Sequence, residues 1–250
     1  MKEKFMTAVS IATHGNVVVI SIDRRERRNA IDIDVVRGLQ EAFAKFDASD
    51  GRVAVLTGVG DDFSVGSDPN VPVTELWRCM PTIGTVTKKP IVTAVAGECQ
   101  GSAFTLNMFA DLCVADESAN FCYPEGTHGA WGGLAAGLAV RIPHKIAMEV
   151  LLLSQPISAR RAYEAGLVNR VAPRGKHIET ALEIAHVVAA RAPLVMQSMK
   201  HFVTDHVLVQ SPSEILGRTT RDLTAVRTSQ DAAEGKRAMA EGRPPEFVGK

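Results

Sequence analysis

The chain has 250 residues, of which 46% are hydrophobic and 22% are charged, and its 28 basic side chains balance its 28 acidic ones. That length and composition are typical of one large globular domain, or of such a domain with a helical extension. A formal net charge of zero argues against nucleic acid as a partner, because phosphate binding requires a basic surface.

The cysteines and the first residues bear on the compartment. Cys79, Cys99, Cys113 and Cys122 form neither a CxxC pair nor a Cys/His metal spacing, which predicts buried free thiols, a reducing compartment and no metal site. Residues 1–10 contain no apolar signal segment, and no stretch approaches the roughly 20 apolar residues that span a bilayer. We therefore expect a cytoplasmic protein without a membrane partner.

The first half of the chain alternates between strand patterns and helix patterns. Runs of β-branched residues predict strands over residues 16–23, 52–58 and 90–97. Between the first two, Asp32 caps a predicted helix. Six apolar residues share one face of that helix: Val35, Val36, Leu39, Ala42, Phe43 and Phe46. This alternation predicts an α/β fold.

Strand patterns become sparse in the second half. Residues 126–138 are rich in glycine, Ser158 caps a short predicted helix that ends at Gly166, and residues 167–172 form the last predicted strand. The pattern from there to the end is helical.

The helical end has no strand between its helices, so it does not pack as further α/β units. Its apolar faces must cover the sheet domain or be buried against another subunit. We predict a core domain over residues 1–190 and a C-terminal helical region over residues 191–250.

Two turns that contain glycine follow predicted strands. Residues 97–107, GECQGSAFTLN, end in a helix that starts near Ser102, and residues 63–70, FSVGSDPN, follow the strand at 52–58. A helix start leaves unpaired N–H groups with a partial positive charge, and glycine lets a ligand approach the backbone. Alone, each turn is also consistent with a tight packed connection. Together, at the carboxyl ends of parallel strands, they predict two N–H groups that converge on an oxygen becoming negative in a reaction.

The order and spacing of four motifs resemble those of the enoyl-CoA hydratase/isomerase, or crotonase, family. The motifs are RRNAID (27–32), FSVGSD (63–68), AGECQGSAFTL (96–106) and FCYPEGTHG (121–129). Residues 151–173 resemble the segment after the family's core, so the resemblance covers nearly the whole chain. It implies a spiral of ββα repeats, C-terminal helices that build homotrimers or hexamers, and an acyl-CoA thioester as substrate, with no separate cofactor.

The resemblance also implies catalytic roles. The thioester oxygen is expected between the backbone N–H groups of Ser67 and Ser102, where the family usually has glycine at the second position. Glu125 matches one of the two glutamates that the family's hydratases use, and Thr105 stands in place of the other. A carboxylate with a pKa raised towards neutrality suits proton transfer at carbon. With one glutamate, double-bond isomerisation is easier to explain than water addition, but hydration and dehydration stay open.

Other residues are implied to bind the substrate by their places in the same motifs. Arg28 and Ala30 lie near the expected adenine-diphosphate part of CoA, with one or two neighbouring arginines on phosphates. The remaining implied contacts are Val65, Gly66, Asp68, Gly101 and Trp131. Trp131 is equally a candidate for the core.

Several alternatives remain. Asp68 and Asp111 are favoured as caps or loop anchors, and His128 as a pocket-wall or surface histidine. A hydrolase of the same fold would cleave a thioester or carbon–carbon bond with water positioned by His128 or Thr105. A non-catalytic acyl-CoA-binding homologue would account for the missing helix carboxylate and for serine at position 102.

Overall fold

The computed structural model describes residues 8–250, so most of the segment 1–10, for which the sequence predicts no signal peptide, lies outside it. Within the described chain, the strands are β1 (Val9–His14), β2 (Val17–Ile22), β3 (Val53–Gly58), β4 (Ile91–Val95), β5 (Glu98–Gln100), β6 (Leu112–Asp116), β7 (Asn120–Cys122), β8 (Ile157–Ser158) and β9 (Arg170–Ala172). The α-helices are α1 (Ile33–Ala48), α2 (Val73–Leu76), α3 (Ser102–Met108), α4 (Glu125–His128), α5 (His144–Leu153), α6 (Ala159–Glu164), α7 (His177–Ala189), α8 (Pro193–Phe202), α9 (Pro212–Arg227) and α10 (Gln230–Glu241).

The main sheet has the strand order β1-β2-β3-β4-β6-β9. β1 runs antiparallel to β2, and the other pairs are parallel. β2, β3, β4 and β9 confirm the four strands that the sequence predicts. A smaller sheet, β5-β7-β8, lies beside the main one and carries the chain from the end of β4 into α3. The α/β prediction is confirmed.

Helix α1 begins as the sequence predicts. The Asp32 side chain accepts hydrogen bonds from the backbone N–H groups of Asp34 and Val35, which satisfies donors that a helix start leaves unpaired. The buried residues of α1 are the six of the predicted apolar stripe.

The main sheet is covered on both faces, as parallel sheets usually are. Alternate residues of its strands face opposite sides, and the smaller layer pairs strand valines with three alanines of α7, Ala181, Ala185 and Ala189. The larger layer contains the apolar stripe of α1 together with α3 and the small sheet. All four cysteines are buried and free, which confirms the prediction of buried free thiols.

The C-terminal helices pack against the core of their own chain. Lys200 of α8, whose side chain is 6% exposed, donates to Asp111 Oδ2 at 2.7 Å and to the Lys89 carbonyl at 2.9 Å. Asp111 Oδ2 also accepts from the backbone N–H of Ile91 at 2.7 Å, so its predicted role as a loop anchor is confirmed. Arg221 of α9 donates to the Ile83 carbonyl at 2.8 Å.

The same helices leave apolar side chains uncovered. Among them are Leu194, Met199, Phe202, Val207, Leu216, Val226 and Met239, all at least 58% exposed. Within residues 8–250, no helix is long and apolar enough to cross a membrane. Those residues also contain no cluster of three or more His, Cys, Asp or Glu side chains that is placed to bind a metal ion.

Candidate active site

The turn after β3 is held against the small sheet by backbone hydrogen bonds. The Ser64 N–H donates to the Glu98 carbonyl at 2.9 Å, and the Gln100 N–H donates to the Ser64 carbonyl at 3.1 Å. These bonds fix the 63–68 turn beside β5, so the two motifs separated by some thirty residues in sequence run next to each other.

Ser67 lies three residues after Ser64 in the same turn. The Ile31 N–H donates to the Gly66 carbonyl at 2.8 Å, and the Asp68 N–H donates to the Ile31 carbonyl at 2.9 Å. In a parallel bridge of this kind, the residue between the two bonded groups turns its own N–H away from the partner strand. Across residues 8–250, the Ser67 N–H accordingly donates to no protein acceptor.

Helix α3 starts at Ser102 with Gly101 as its N-terminal cap. Gly101 has φ +52° and no side chain to cap the helix. The first helical bond runs from the Thr105 N–H to the Gly101 carbonyl at 3.0 Å. The Ser102 N–H is therefore one of the helix's unpaired donors, and the described chain offers it no acceptor.

The two turns touch each other through their glycines. A Cβ atom added at Gly66, where φ is +93°, would lie 2.8 Å from the Gln100 carbonyl oxygen and 3.7 Å from the Gly101 Cα. One residue further on, the Ser67 and Ser102 hydroxyl oxygens are hydrogen-bonded at 3.0 Å. The structure thus brings together the two residues whose N–H groups are unpartnered.

Glu125 approaches this junction from the other side. It begins α4, just after β7, and a Cβ added at Gly101 would lie 3.0 Å from Glu125 Oε1. Its Oε2 atom is shielded from solvent and has no hydrogen-bond partner among the described residues. Burial raises the pKa of Glu125 to about 7. A carboxyl group with that pKa exchanges a proton readily near neutral pH.

The neighbours of Glu125 are apolar or weakly acidic. The Tyr123 ring packs against Phe104, and burial, followed by the nearby Glu125 charge, raises the pKa of Tyr123. The pKa of the Cys122 thiol is raised by the same two causes in the same order. The Glu125 carboxyl is therefore partly buried among poorly solvated groups.

Thr105 is buried on the first turn of α3. Its hydroxyl donates to the Gly101 carbonyl at 3.1 Å, so its one proton is used within the helix. His128 is exposed at the end of α4, which agrees with a surface position. The core interpretation of Trp131 is wrong, because this side chain is 69% exposed.

Asp68 anchors its own loop, which agrees with one of the two structural roles, cap or loop anchor, that the sequence predicts for it. Its Oδ1 atom accepts from the Asn70 N–H and from the Asn70 side-chain amide, both at 3.1 Å. The backbone hydrogen bond from Asn70 is the main reason that the pKa of Asp68 is lowered.

The arginine cluster is largely occupied by carboxylates. Arg28 makes a two-pronged ion pair with Asp62, at 2.8 and 3.2 Å. Arg24 pairs with Asp32 at 3.0 Å and donates to the Ala30 carbonyl at 2.6 Å. Arg25 pairs with Asp23 at 3.1 Å.

Arg27 differs from these three arginines. It is exposed, and no ion pair joins it to another described residue. The nearby Val65, also implied at the substrate, is partly buried and donates its N–H to the Arg28 carbonyl at 3.2 Å. Of the four arginines, Arg27 is therefore the one whose guanidinium is not paired with a carboxylate of the described chain.

Two features of the site were missed from the sequence. Asp62 holds both Arg28 and the Glu98 N–H, the latter at 2.9 Å, yet a carboxylate in a polar loop gives no signal of such a role. The Ser67–Ser102 hydroxyl contact was also missed. Its signal was serine at both positions of the two glycine turns.

Comparison with known proteins identifies the relatives of this chain. A family model described as enoyl-CoA hydratase/isomerase matches residues 12–250. The carnitinyl-CoA dehydratase of Proteus mirabilis is 28% identical over 97% of this chain and 99% of its own. The crystal structure of an enoyl-CoA hydratase from Mycobacterium tuberculosis has a TM-score of 0.73 at 32% identity, covering 98% of this chain and 100% of that one.

A second structure, of a carnitinyl-CoA hydratase from Mycobacterium avium, has a TM-score of 0.75 at 30% identity and covers 98% of this chain and 99% of its own. The matches therefore extend over nearly the full length of both partners, and the fold is the crotonase fold. On these grounds, the chain belongs to the enoyl-CoA hydratase/isomerase family of enzymes.

Proposed function

We propose that this enzyme acts on an acyl-CoA thioester and moves a proton with a single glutamate. The Ser67 and Ser102 N–H groups would hold the thioester oxygen, and Glu125 would remove a proton from the adjacent carbon. The observation that carries the proposal is the Glu125 carboxyl, with a pKa raised to about 7 by burial, against Gly101 at the start of α3.

Removal of the α-proton places a negative charge on the thioester oxygen, where two N–H donors stabilise the enolate. The proton taken by Glu125 then has two destinations. Delivered to the γ-carbon of an unsaturated chain, it completes a double-bond isomerisation. Delivered to a leaving β-hydroxyl, it completes a dehydration that yields the enoyl thioester and water, and the reverse sequence is hydration. The relatives named as hydratases and dehydratases favour the second route.

The hydrolase alternative has less support. The Thr105 proton is donated to a backbone carbonyl and His128 is exposed, so neither is aimed at a water beside the thioester. A non-catalytic binding role stays an outcome of the test below. CoA would enter only as part of the substrate, with no separate cofactor, and the cytoplasmic location stays a prediction.

The exposed apolar side chains of α8 and α9 support a further proposal, that the chain forms a homotrimer or a hexamer. Several large apolar side chains exposed on neighbouring helices are typical of an interface. Mass determination by light scattering would distinguish these states from a monomer.

The test of the catalytic proposal is Glu125→Gln, assayed against enoyl-CoA and β-hydroxyacyl-CoA esters with product analysis. Loss of the acid/base group should lower kcat by about 10²- to 10⁴-fold while KM changes little. Glu149→Gln is the matched control, since the Glu149 carboxylate is already paired with Arg161 at 3.2 Å and has no proposed part in the reaction.

The other outcomes are equally informative. Unchanged turnover in Glu125→Gln would remove Glu125 from the mechanism. Release of free CoA thiol by the wild-type protein would indicate the hydrolase. Tight binding of CoA esters by calorimetry, with no turnover of any ester, would indicate the binding homologue.

A further inference from the structure

We propose that the paired hydroxyls of Ser67 and Ser102 supply a third hydrogen-bond donor to the oxygen held by the two backbone N–H groups. The inference rests on the proposed function and adds a side-chain contribution to a site otherwise built from the backbone. It assigns a role to the feature in which this chain departs from the family pattern, serine in place of the usual glycine at position 102.

The two hydroxyls differ in their surroundings. Ser102 is 6% exposed, whereas Ser67 is open to solvent, and their oxygens are 3.0 Å apart. Ser67 is therefore the solvent-accessible member of the pair, and Ser102 is the enclosed one. A buried hydroxyl is expected to have its hydrogen-bonding capacity satisfied, and here the neighbour supplies only one bond.

Counting protons shows what is left over. Each serine hydroxyl carries one proton and can accept through its lone pairs. The bond between the two oxygens uses one of the two protons, whichever hydroxyl donates it. Within residues 8–250, no other protein acceptor is hydrogen-bonded to either hydroxyl, the Glu125 carboxyl included. One O–H donor at this junction is therefore free for a ligand.

Covalent geometry places that donor close to the expected oxygen. A serine Oγ lies roughly 3 to 4 Å from the nitrogen of its own residue, depending on the rotamer. In a rotamer that holds the Oγ on the side of the N–H group, the hydroxyl and the N–H of the same serine can therefore face one bound oxygen. The side chain of Ser102 also leans towards the N-terminal end of α3, as helical side chains do, which is the end at which the N–H groups are unpaired.

The chemical consequence is specific to the charged state. A hydrogen bond to a negative oxygen is stronger than one to a neutral carbonyl, so the extra donor stabilises the enolate more than the bound ester. Its removal should therefore lower kcat and leave KM nearly unchanged. If the hydroxyl pair only filled space or stiffened the turn, its removal would not lower kcat selectively while leaving KM unchanged.

The experiment compares Ser102→Ala, Ser67→Ala and the double variant in the full-length protein. We expect Ser102→Ala to lower kcat by about 10- to 100-fold. Ser67→Ala should have a smaller effect. The Ser102 hydroxyl keeps its proton in this variant and loses only the Ser67 partner that orients it. The double variant should be little worse than Ser102→Ala, since the two residues act as a unit.

A vibrational measurement gives a second readout. The thioester carbonyl stretch of a bound, unreactive CoA ester should move to higher frequency in Ser102→Ala, because one donor has been removed. Ser67→Thr keeps a hydroxyl at the solvent-exposed position and should restore near wild-type behaviour. Ser67→Ala and Ser67→Thr also preserve the test if changes at the buried Ser102 impair folding.

Two results separate this inference from the proposed function. If kcat and the carbonyl stretch are unchanged in Ser102→Ala while Glu125→Gln is inactive, the third donor is refuted and the proposed function stands. If Glu125→Gln is fully active, the proposed function fails and the inference fails with it. A Ser102→Ala protein with a raised KM and a lowered kcat, changed by equal factors and without a shift of the thioester carbonyl stretch, would also overturn the inference.

Discussion

Glu125 in the candidate active site and Glu234 in α10 are both at least partly buried. They differ in the hydrogen-bond partners of their carboxyl groups. Glu234, which is 6% exposed, accepts from Arg243 at 2.6 Å, from Arg237 at 3.0 Å and from the Glu246 N–H at 3.0 Å. Glu125 Oε2 has no partner in the described chain. The pKa of Glu234 is lowered, chiefly by its hydrogen bonds from Arg243, whereas burial raises that of Glu125 to about 7.

The difference teaches what each carboxyl can do. Two guanidinium groups hold the charge of Glu234 in place, so this residue fastens α10 to the C-terminal tail and has no tendency to take up a proton. The Glu125 region lacks such partners, and its carboxyl sits close to the balance between its two protonation states. The paired carboxylate of Glu234 is therefore suited to a structural role. The carboxyl of Glu125, which lacks partners and has a pKa near neutral pH, is suited to proton transfer.

Beyond the substitution of Glu125 itself, Gly101→Ala should have the largest effect on the site. The new Cβ would lie 3.0 Å from Glu125 Oε1, at a residue with φ +52°, so both the carboxyl and the start of α3 must shift. We expect kcat/KM to fall by about 10²- to 10³-fold, as when an oxyanion donor is displaced. Steady-state kinetics with the best CoA ester would measure it.

Gly15→Ala is the matched control for that change. Gly15 has a similar φ, +61°, but no heavy atom lies within 4 Å of the Cβ position. It therefore also places a side chain at a positive φ but does not touch the site, and it should leave kcat/KM unchanged. Equal activity losses in the two variants would contradict the role assigned to the Gly101 position.

Glu234→Gln should reverse the pattern that Glu125→Gln shows. Loss of the charge leaves Arg237 and Arg243 with weaker partners, so the melting temperature should fall while kcat of the folded protein stays at the wild-type value. Thermal unfolding and activity assays on the same samples would decide. A Glu234→Gln protein with an unchanged melting temperature and no activity would contradict the purely structural role assigned to Glu234.

The two glutamates should also respond to pH with opposite signs. The folded-state pKa of Glu125 is about 7, against an ordinary value of 4.5, so its favourable contribution is complete below about pH 4.5 and is lost as pH rises through 7. Glu125→Gln should consequently be more stable than the wild type at pH 8.5, by about 1 to 2 kcal/mol after allowance for partial solvent screening, and not at pH 4.5.

For Glu234, whose pKa is lowered, the contribution is present at neutral pH and is lost as pH falls. Denaturant titrations at three pH values would measure both cases. The kcat/KM profile of the wild type should also bend near pH 7, since that profile reports the free enzyme's acid/base group. A flat profile between pH 6 and 8 would contradict the assignment of Glu125.

The smallest expected effect is at the arginine cluster. Arg27 is exposed and lacks an ion pair with the rest of the described chain, whereas Arg25 pairs with Asp23. If Arg27 meets a phosphate of CoA, Arg27→Ala should raise KM by about 3- to 10-fold, as expected for a partly solvated ion pair. Arg25→Ala serves as the control and should leave KM unchanged, and a salt titration should reduce the difference between them.

The long elements of the fold could be predicted because their local signals are strong. The β-branched runs at 16–23, 52–58 and 90–97 gave β2, β3 and β4, and the caps Asp32 and Ser158 gave the starts of α1 and α6. Very short strands gave no such signal. β5 and β8, with three and two residues, are too short to show a period, so the sequence predicts only a turn for GECQ.

The site divides in the same way. Motif register located Glu125, Ser67 and Ser102, but burial of a carboxyl and contact between hydroxyls depend on packing between distant segments. Trp131 illustrates the limit, because a tryptophan among glycines and alanines is a fair candidate for a core and is exposed here. The pairing of Arg28 with Asp62, 34 residues away, likewise has no local signature.

Lys200 gives the C-terminal helices a further property. Its ammonium group, bonded to Asp111 and to the Lys89 carbonyl, crosses the boundary predicted at residue 190 and inserts a charge at the foot of β4. If the helices came away, the Lys89 carbonyl would lose this donor and the Asp111 carboxylate its counter-ion. The two predicted parts therefore share a nearly buried charged contact, and a chain that stopped at residue 190 would lack the Lys200 side chain that fills this position.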